Sequence, residues 1–372
     1  MERKLALLLC LLLAGCSGKP QPPQEENSSP VVTFSDLRCI SQITGDISVQ
    51  RPGYPNPDFI IDNQTTTRFD VYGTDLGINW EIEPGYYGFA FGDTNGKGFI
   101  PSDSGGGTGK DNWRGNVVLF SNDTMLDDGL ELCGGVMDPT GKFAREVCLS
   151  RHMGYGDWTS IPTGAIHANG CEYIHYMNIK TWDGWTTNHS KMYKSADKGQ
   201  TWELCKTIEW GGESNFGQVG FFRHSDGYIY MMGTQTGRSS GAKLARFKEQ
   251  DIENKDHYEF WDGKQWISAA EENAEFVIRD SVGELSIAYL HSIEKWIVLY
   301  ISEKRAEITM RWADAPHGPW SDPIKLVSMA EYPICYGSFI HPLSYNSEHL
   351  YFVMSSWRPY NTYLMRVDLK VE

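Results

Sequence analysis

From Val31 onward the chain is written in short apolar or alternating runs, each cut off by Gly, Asp or Asn, and sustained 3.6-residue periodicity is nearly absent. Tyr87–Phe91, Asn116–Phe120, Tyr228–Met232, Lys295–Ile301 and His349–Met354 are typical. Such runs are the length of strands, too short for helices, and the residues between them are turn formers. The chain is therefore expected to be all-β. Aromatics make up 13% of it, too many for a disordered polymer, and its 38 glycines follow no three-residue repeat, which excludes a collagen-like chain. No linker-like stretch interrupts residues 31–372, so one large domain is expected there.

One motif narrows the architecture. Ser195-Ala196-Asp197-Lys198-Gly199-Gln200-Thr201-Trp202, preceded by Lys191–Lys194, resembles the Asp-box turn of propeller hydrolases, where the Asp and Gly close a hairpin between two outer strands of a blade and the Trp packs beneath it. A second pattern, an aromatic-rich strand running into a Gly-Pro-Trp corner, occurs as Ile308–Trp312 with His317–Pro323, and more loosely as Phe260–Trp266. Units of about 65 residues repeating in this way suggest roughly five blades. The fold expected is a five-bladed β-propeller.

The first thirty residues read differently. Met1-Glu2-Arg3-Lys4 is a short basic start, and Leu5–Leu13 is an apolar run too short to span a bilayer, as in an export signal. The run ends in Leu13-Ala14-Gly15-Cys16, which looks like a bacterial lipobox whose Cys16 becomes the lipidated first residue of the mature protein. Residues 1–16 are thus expected to be signal peptide and lipobox, 17–30 a polar, Pro-rich tether, and 31–372 the folded domain. The expected location is the bacterial outer membrane, at the cell surface or on its periplasmic face, with contact to the membrane through the N-terminal anchor only. Residues 1–30 carry three basic and three acidic side chains, so the domain keeps the whole formal charge of −15. With 33 Lys+Arg against 48 Asp+Glu and no basic stripe, a nucleic-acid partner is excluded. Cys39, Cys133, Cys148, Cys171, Cys205 and Cys335 remain in the domain; Cys133 with Cys148 is the most local candidate pair, against the alternative of buried free thiols.

The densest polar and aromatic region is Tyr72–Trp80 followed by Tyr87–Gly96, which places Asp75 and Asp93 each at a Gly-rich strand end. In a propeller the innermost strand of each blade lines the central cleft, so these two carboxylates are candidates to face each other there. A carboxylate pair in one cleft is what glycoside hydrolysis requires, one group to protonate the leaving oxygen and one to activate water or attack the anomeric carbon. For any single Asp beside Gly, the competing reading is an Asx-turn residue.

Gly73-Thr74-Asp75-Leu76-Gly77, Phe91-Gly92-Asp93-Thr94, Trp312 with Gly318-Pro319-Trp320, Tyr336-Gly337 with His341-Pro342, and Ser355-Ser356-Trp357-Arg358-Pro359-Tyr360 with Tyr363-Leu364-Met365 together resemble domain of unknown function 4185. Part of that group is glycoside hydrolase family 183, the endo-D-arabinanases that cut the α-linked D-arabinofuranose backbone of mycobacterial arabinogalactan and lipoarabinomannan. The resemblance spans residues 33–370. It implies a five-bladed propeller with Asp75 and Asp93 as the catalytic pair, an inverting mechanism, and Asp75 as base with Asp93 as acid.

Weaker candidates surround this pair. Glu284, at the expected start of an inner strand, is a candidate third carboxylate, and His167 and His341 are candidates to hydrogen-bond sugar hydroxyls, against the usual reading of a lone His as a structural group. Asn116, Gln218, Arg238 and Tyr336 are candidates to line the cleft, and Trp80, Trp113, Trp158 and Trp357 to stack on furanose rings, although most of the 13 tryptophans must serve packing. No GxSxG elbow, HExxH helix, P-loop or strand-linked GxGxxG is present, and Gly105-Gly106-Gly107 sits in a Ser/Gly/Asp-rich loop. No cofactor is expected; calcium at the propeller axis stays open, though no EF-hand-like ligand series occurs. The expected partner is D-arabinan polysaccharide and the expected state a monomer. A non-catalytic glycan-binding lipoprotein, or a hydrolase of another furanoside, are the alternatives; a sialidase is disfavoured because the Asp-box occurs once and no arginine triad is recognisable.

Overall fold

The computed structural model describes residues 31–48, 52–109, 111–150 and 156–372. The expected signal sequence with Cys16 and the expected tether lie outside the described residues. Five antiparallel sheets stand in a ring, each a blade with its first strand innermost. Blade I comprises Leu76–Glu83, Tyr86–Phe91, Val117–Ser121 and Gly134–Gly135; blade II Thr159–Ala168, Cys171–Thr181, Thr186–Ser195 and Glu203–Gly211. Blade III starts with Gln218–Arg223, Tyr228–Thr234 and Ala242–Lys248 and ends in the short pair Glu259–Trp261 and Trp266–Ile267; blade IV comprises Leu285–Leu290, Lys295–Ser302, Glu307–Ala313 and Ile324–Ser328. Blade V takes Cys335–Ile340, His349–Ser356 and Asn361–Val371 from the end of the chain and its outermost strand, Val32–Gln42, from the beginning. Neighbouring inner strands touch all the way round, with Leu76–Glu83 against Cys335–Ile340 completing the circle.

Four of the five apolar runs become second strands of blades and Asn116–Phe120 enters the third strand of blade I, buried between neighbours. Ile297, Val298, Leu299, Tyr300 and Ile301 are all fully buried, which is why the sequence there reads as a continuous apolar run instead of an alternation. Between blades III and IV, Tyr230, Tyr289 and Trp296 meet edge to face beside His224. The Asp-box sits where it is expected, between the third and fourth strands of blade II. Asp197 accepts from the Thr201 amide at 2.8 Å and from its hydroxyl at 2.6 Å, and Trp202 donates its indole N–H to the Gly199 carbonyl at 2.7 Å. Closure depends on the register Val32↔Val371 to Gln42↔Tyr363, reinforced where the Thr44 hydroxyl donates to the Asn361 side chain.

Because every inner strand runs in the same direction, the ring has two distinct faces. Asp75, Thr159, Glu284 and Tyr336 stand where inner strands begin, the upper face; Ile82, His167, Arg223 and Ile340 stand where they end, the lower face. The six domain cysteines are free thiols, so the candidate pair Cys133 and Cys148 is not bridged and the alternative of free thiols holds. Cys148 is buried inside blade packing and burial pushes its thiol up to about 12, while Cys133 lies exposed. Among the described residues, no helix is long and apolar enough to cross a membrane.

Candidate active site

Asp75 and Asp93 are brought together by backbone, not only by side chains. Blade I's first two strands pair so that the Gly92 amide donates to the Asp75 carbonyl at 3.1 Å, and the Thr74 and Thr94 hydroxyls meet at 2.7 Å. Leu76 takes a left-handed φ of 66°, and the ladder slips by one residue between Leu76 and Ile78. This bulge turns the Asp75 side chain into the upper end of the ring, and the strained Leu76 amide is held by the Ser355 hydroxyl at 2.7 Å. Position 92 must be glycine: a Cβ there would lie 2.3 Å from Asp75 Oδ1.

The two carboxylates then diverge in environment. The Tyr336 hydroxyl donates to Asp75 Oδ2 at 2.8 Å and Tyr360 also hydrogen-bonds the group, whereas Oδ1 is buried with no hydrogen-bond partner. Burial first, then the negative charges of Asp93 and Glu284, push the Asp75 carboxyl up to about 8 against the pull of the two tyrosine hydroxyls. Asp75 therefore holds a proton at neutral pH. Asp93 instead accepts from the Thr159 hydroxyl at 2.5 Å.

Around the pair, Glu284 is buried and bound bidentately by Arg238, at 2.9 Å from Nε and 2.7 Å from Nη2. The Arg238 guanidinium in turn lies 5.4 Å from the ring centre of Tyr336, the residue whose hydroxyl holds Asp75. Trp357 is 38% exposed and sits edge-on to Tyr336 and Tyr360 at 6.3 and 5.3 Å. The Gly105–Gly107 loop wraps it: Gly106 donates to the Trp357 carbonyl at 2.6 Å, and Gly105, at φ +99°, approaches so closely that a Cβ would fall inside the indole. The triple glycine thus borders the site. Trp158, one residue before Thr159, is 38% exposed on the same face, and Trp113 is half-buried beside Arg114.

Several expected site residues are not there. Trp80 is buried in the wall between blades I and II, its indole N–H donating to Glu172 at 2.9 Å; His167 lies at the lower end of blade II and pairs with the same Glu172 at 2.7 Å. Both line a separate cavity of about 680 Å³ that opens on the lower face. His341 is fully buried at the lower end of blade V, accepting from the Leu343 amide and packed on Tyr87 and Phe89, and burial pushes it down to about 3. Asn116 is fully buried and fully occupied: it donates to the Cys148 and Ser160 carbonyls and accepts from the Val147 and Cys148 amides. Gln218 is buried, its amide donating to the Gly237 carbonyl at 2.6 Å. These side chains were read as cleft groups because they are polar residues at strand ends; the ring uses them to satisfy its own backbone.

Conversely, the sequence reading missed Tyr360, Thr159, Glu146 and Asp157. Tyr360 lies within the closing motif, but its φ of 56°, which turns it inward, is not legible there. Glu146 accepts from the Gly115 amide at 2.8 Å, and burial pushes it up to about 7, helped by Asp157. It lies in irregular chain with no period to mark it. Among the described residues, no group of three or more His, Cys, Asp or Glu is arranged to hold a metal ion.

The fold and this site define a propeller with a carboxylate-bearing cleft at its upper face, and comparison with known proteins places it in a family. The profile of DUF4185, domain of unknown function, matches residues 61–366, and the chain belongs to that family. Notoamide biosynthesis cluster protein J′ of Aspergillus versicolor is 27% identical over 315 residues, covering 80% of this chain and 84% of that protein. Among solved structures, a protein of Bacteroides ovatus superposes with a TM-score of 0.57 at 14% identity over 82% of this chain and 87% of that one. A family 117 glycoside hydrolase of Zobellia galactanivorans does so with a TM-score of 0.46 at 12% identity, over 91% and 90%. The likeness to the Bacteroides ovatus protein is one of fold.

Proposed function

We propose that the protein is an exported, lipid-anchored endo-acting glycoside hydrolase that cleaves α-D-arabinofuranosyl linkages in the D-arabinan of mycobacterial arabinogalactan and lipoarabinomannan. The observation that carries the hydrolase reading is the unequal carboxylate pair: Asp75 protonated near neutrality with one oxygen left unpaired, beside Asp93 held by a hydroxyl donor. A carboxyl group that keeps its proton near neutrality is suited to act as the acid of such a pair, which leaves the base's place to its neighbour Asp93. This reverses the assignment expected from the resemblance. Asp75 gives its proton to the departing glycosidic oxygen as the bond to the anomeric carbon breaks. Asp93 takes a proton from water, whose oxygen bonds to that carbon from the opposite side, inverting it. A glycan-binding lipoprotein would use the same aromatic rim but has no need for a protonated Asp75.

The test is to incubate the protein with mycobacterial arabinogalactan and separate the products, beside Asp75→Asn and Asp93→Asn. Oligo-arabinosides from the unmodified protein alone are expected. Retained binding with no products from any of the three would select the glycan-binding reading.

A further inference from the structure

The cavity of about 680 Å³ on the lower face has no part in the proposed chemistry, yet it has the size of a small-molecule site. It lies on the axis of the ring, where the inner strands of all five blades contribute to its wall. Phe222 is fixed in that wall edge to face by Tyr345 and Trp296, with ring centres 5.1 and 5.4 Å away, so the space is built in advance of any occupant. At the deep end Thr163, Leu285 and Phe339 narrow the axis to a void of about 10 Å³ beside Gln218 and Glu284, room for one water at most. A ligand entering from below therefore stops short of the carboxylates.

The polar groups of the lining decide what that ligand is. Asn79 stands deep on the inner strand of blade I and is 7% exposed. Its side-chain N–H groups are spent on the Gly77 and Phe339 carbonyls, both at 3.2 Å, while Oδ1 is buried with no hydrogen-bond partner. A buried acceptor left unmet costs about 1–3 kcal/mol, so it calls for a donor from whatever fills the cavity. The charges nearby are already matched within the protein. Glu172 takes the Trp80 indole and His167, Lys198 reaches Glu83 at 2.7 Å, and Arg223 reaches Glu249 at 2.8 Å, while Glu81 stands exposed at the mouth. Deep inside, an ionised ligand would lose its water without gaining a free counter-charge. Most of the remaining wall, Ile78, Phe221, Phe222 and Leu285 among it, is apolar.

We propose that this cavity is a second ligand site, separate from the carboxylates, that takes an uncharged, largely apolar ring molecule bearing one hydrogen-bond donor, a ring N–H or a hydroxyl, directed at Asn79 Oδ1. The apolar body of the ligand packs on the preformed wall, and its single donor meets the one acceptor that the ring leaves open there. The site is independent of the glycosidase reading given above.

The experiment titrates indole, 1-methylindole and indole-3-acetate into the full chain carrying Cys16→Ser, so that no lipid competes for the space, and follows each by NMR saturation transfer from the protein's methyl groups. Indole is expected to bind, with 1-methylindole about three- to tenfold weaker for want of its donor and indole-3-acetate weaker than both. Asn79→Leu removes the difference between indole and 1-methylindole, a readout that lost packing alone would not move. Ala196→Trp, a substitution at an exposed position of the mouth, weakens both without disturbing the wall. Indole bound no better than its methylated form, or less well than indole-3-acetate, overturns the ligand class. Binding that responds to Asp93→Asn and not to Ala196→Trp places the probe at the carboxylates and overturns the site. No binding of any probe leaves the cavity to water and overturns it as well.

Discussion

The protonated state of Asp75 makes a prediction about folding as well as about catalysis. In an unfolded chain this carboxyl titrates near 3.8; in the folded ring it titrates near 8. Between those values the folded protein binds more protons than the unfolded one, so raising the pH must destabilise the fold there. From pH 5 to pH 8 the full shift would remove about 4 kcal/mol, at about 1.4 kcal/mol for each unit. The side chain retains some contact with solvent, so the expected loss is ~2 kcal/mol. Asp75→Asn keeps an acceptor for the Tyr336 hydroxyl, has no proton to lose and should escape this penalty. Urea melts of the two proteins at pH 5 and pH 8 provide the test: they should be close at pH 5, with the Asn variant the more stable by ~2 kcal/mol at pH 8. A stability difference that stays constant with pH, or grows in the opposite direction, would refute the argument that Asp75 is a buried acid.

Asp75→Asn and Asp93→Asn should each lower turnover on arabinogalactan by about a hundred- to ten-thousandfold, the usual scale of a lost acid or base, measured by product release. Tyr336→Phe removes a bond that favours the ionised form of Asp75 and should move the alkaline limb of the pH–rate profile to higher pH. Gly92→Ala should abolish activity and lower the melting temperature, because its methyl group would lie 2.3 Å from Asp75 Oδ1 and 3.2 Å from Leu76 Cδ1 in a packed site. Arg238→Met strands the buried Glu284 charge and should destabilise the fold by about 3–5 kcal/mol in urea melts. Thiol titration of the unreduced, denatured domain should count all six cysteines, with no peptide joining Cys133 to Cys148.

The blades were legible because strands buried on both faces leave apolar runs, and because turn chemistry such as Ser195–Trp202 is local. The pair Asp75 and Asp93 was legible for the same reason: each stands at a strand end beside glycines, and the two strands are a hairpin apart. What could not be read was which polar strand-end residues the ring consumes. Asn116 and His341 sit in contexts as promising as that of Tyr336, yet one is exhausted by four backbone bonds and the other is walled in by Tyr87 and Phe89. His167 fails on direction, since strand polarity places it toward the other face, and Trp80 is buried in the wall between blades I and II. Tyr360 comes from a turn whose backbone angle no periodicity announces.

The strand that completes blade V has a consequence for how the molecule is moored. Val32–Gln42 runs antiparallel to Asn361–Val371 and starts beside Val371, at the rim where inner strands end. The described chain therefore begins on the side turned away from Asp75. Under the proposed anchoring at Cys16, the leash would meet the ring at the rim opposite Asp75, leaving the carboxylate face unobstructed by the protein's own attachment.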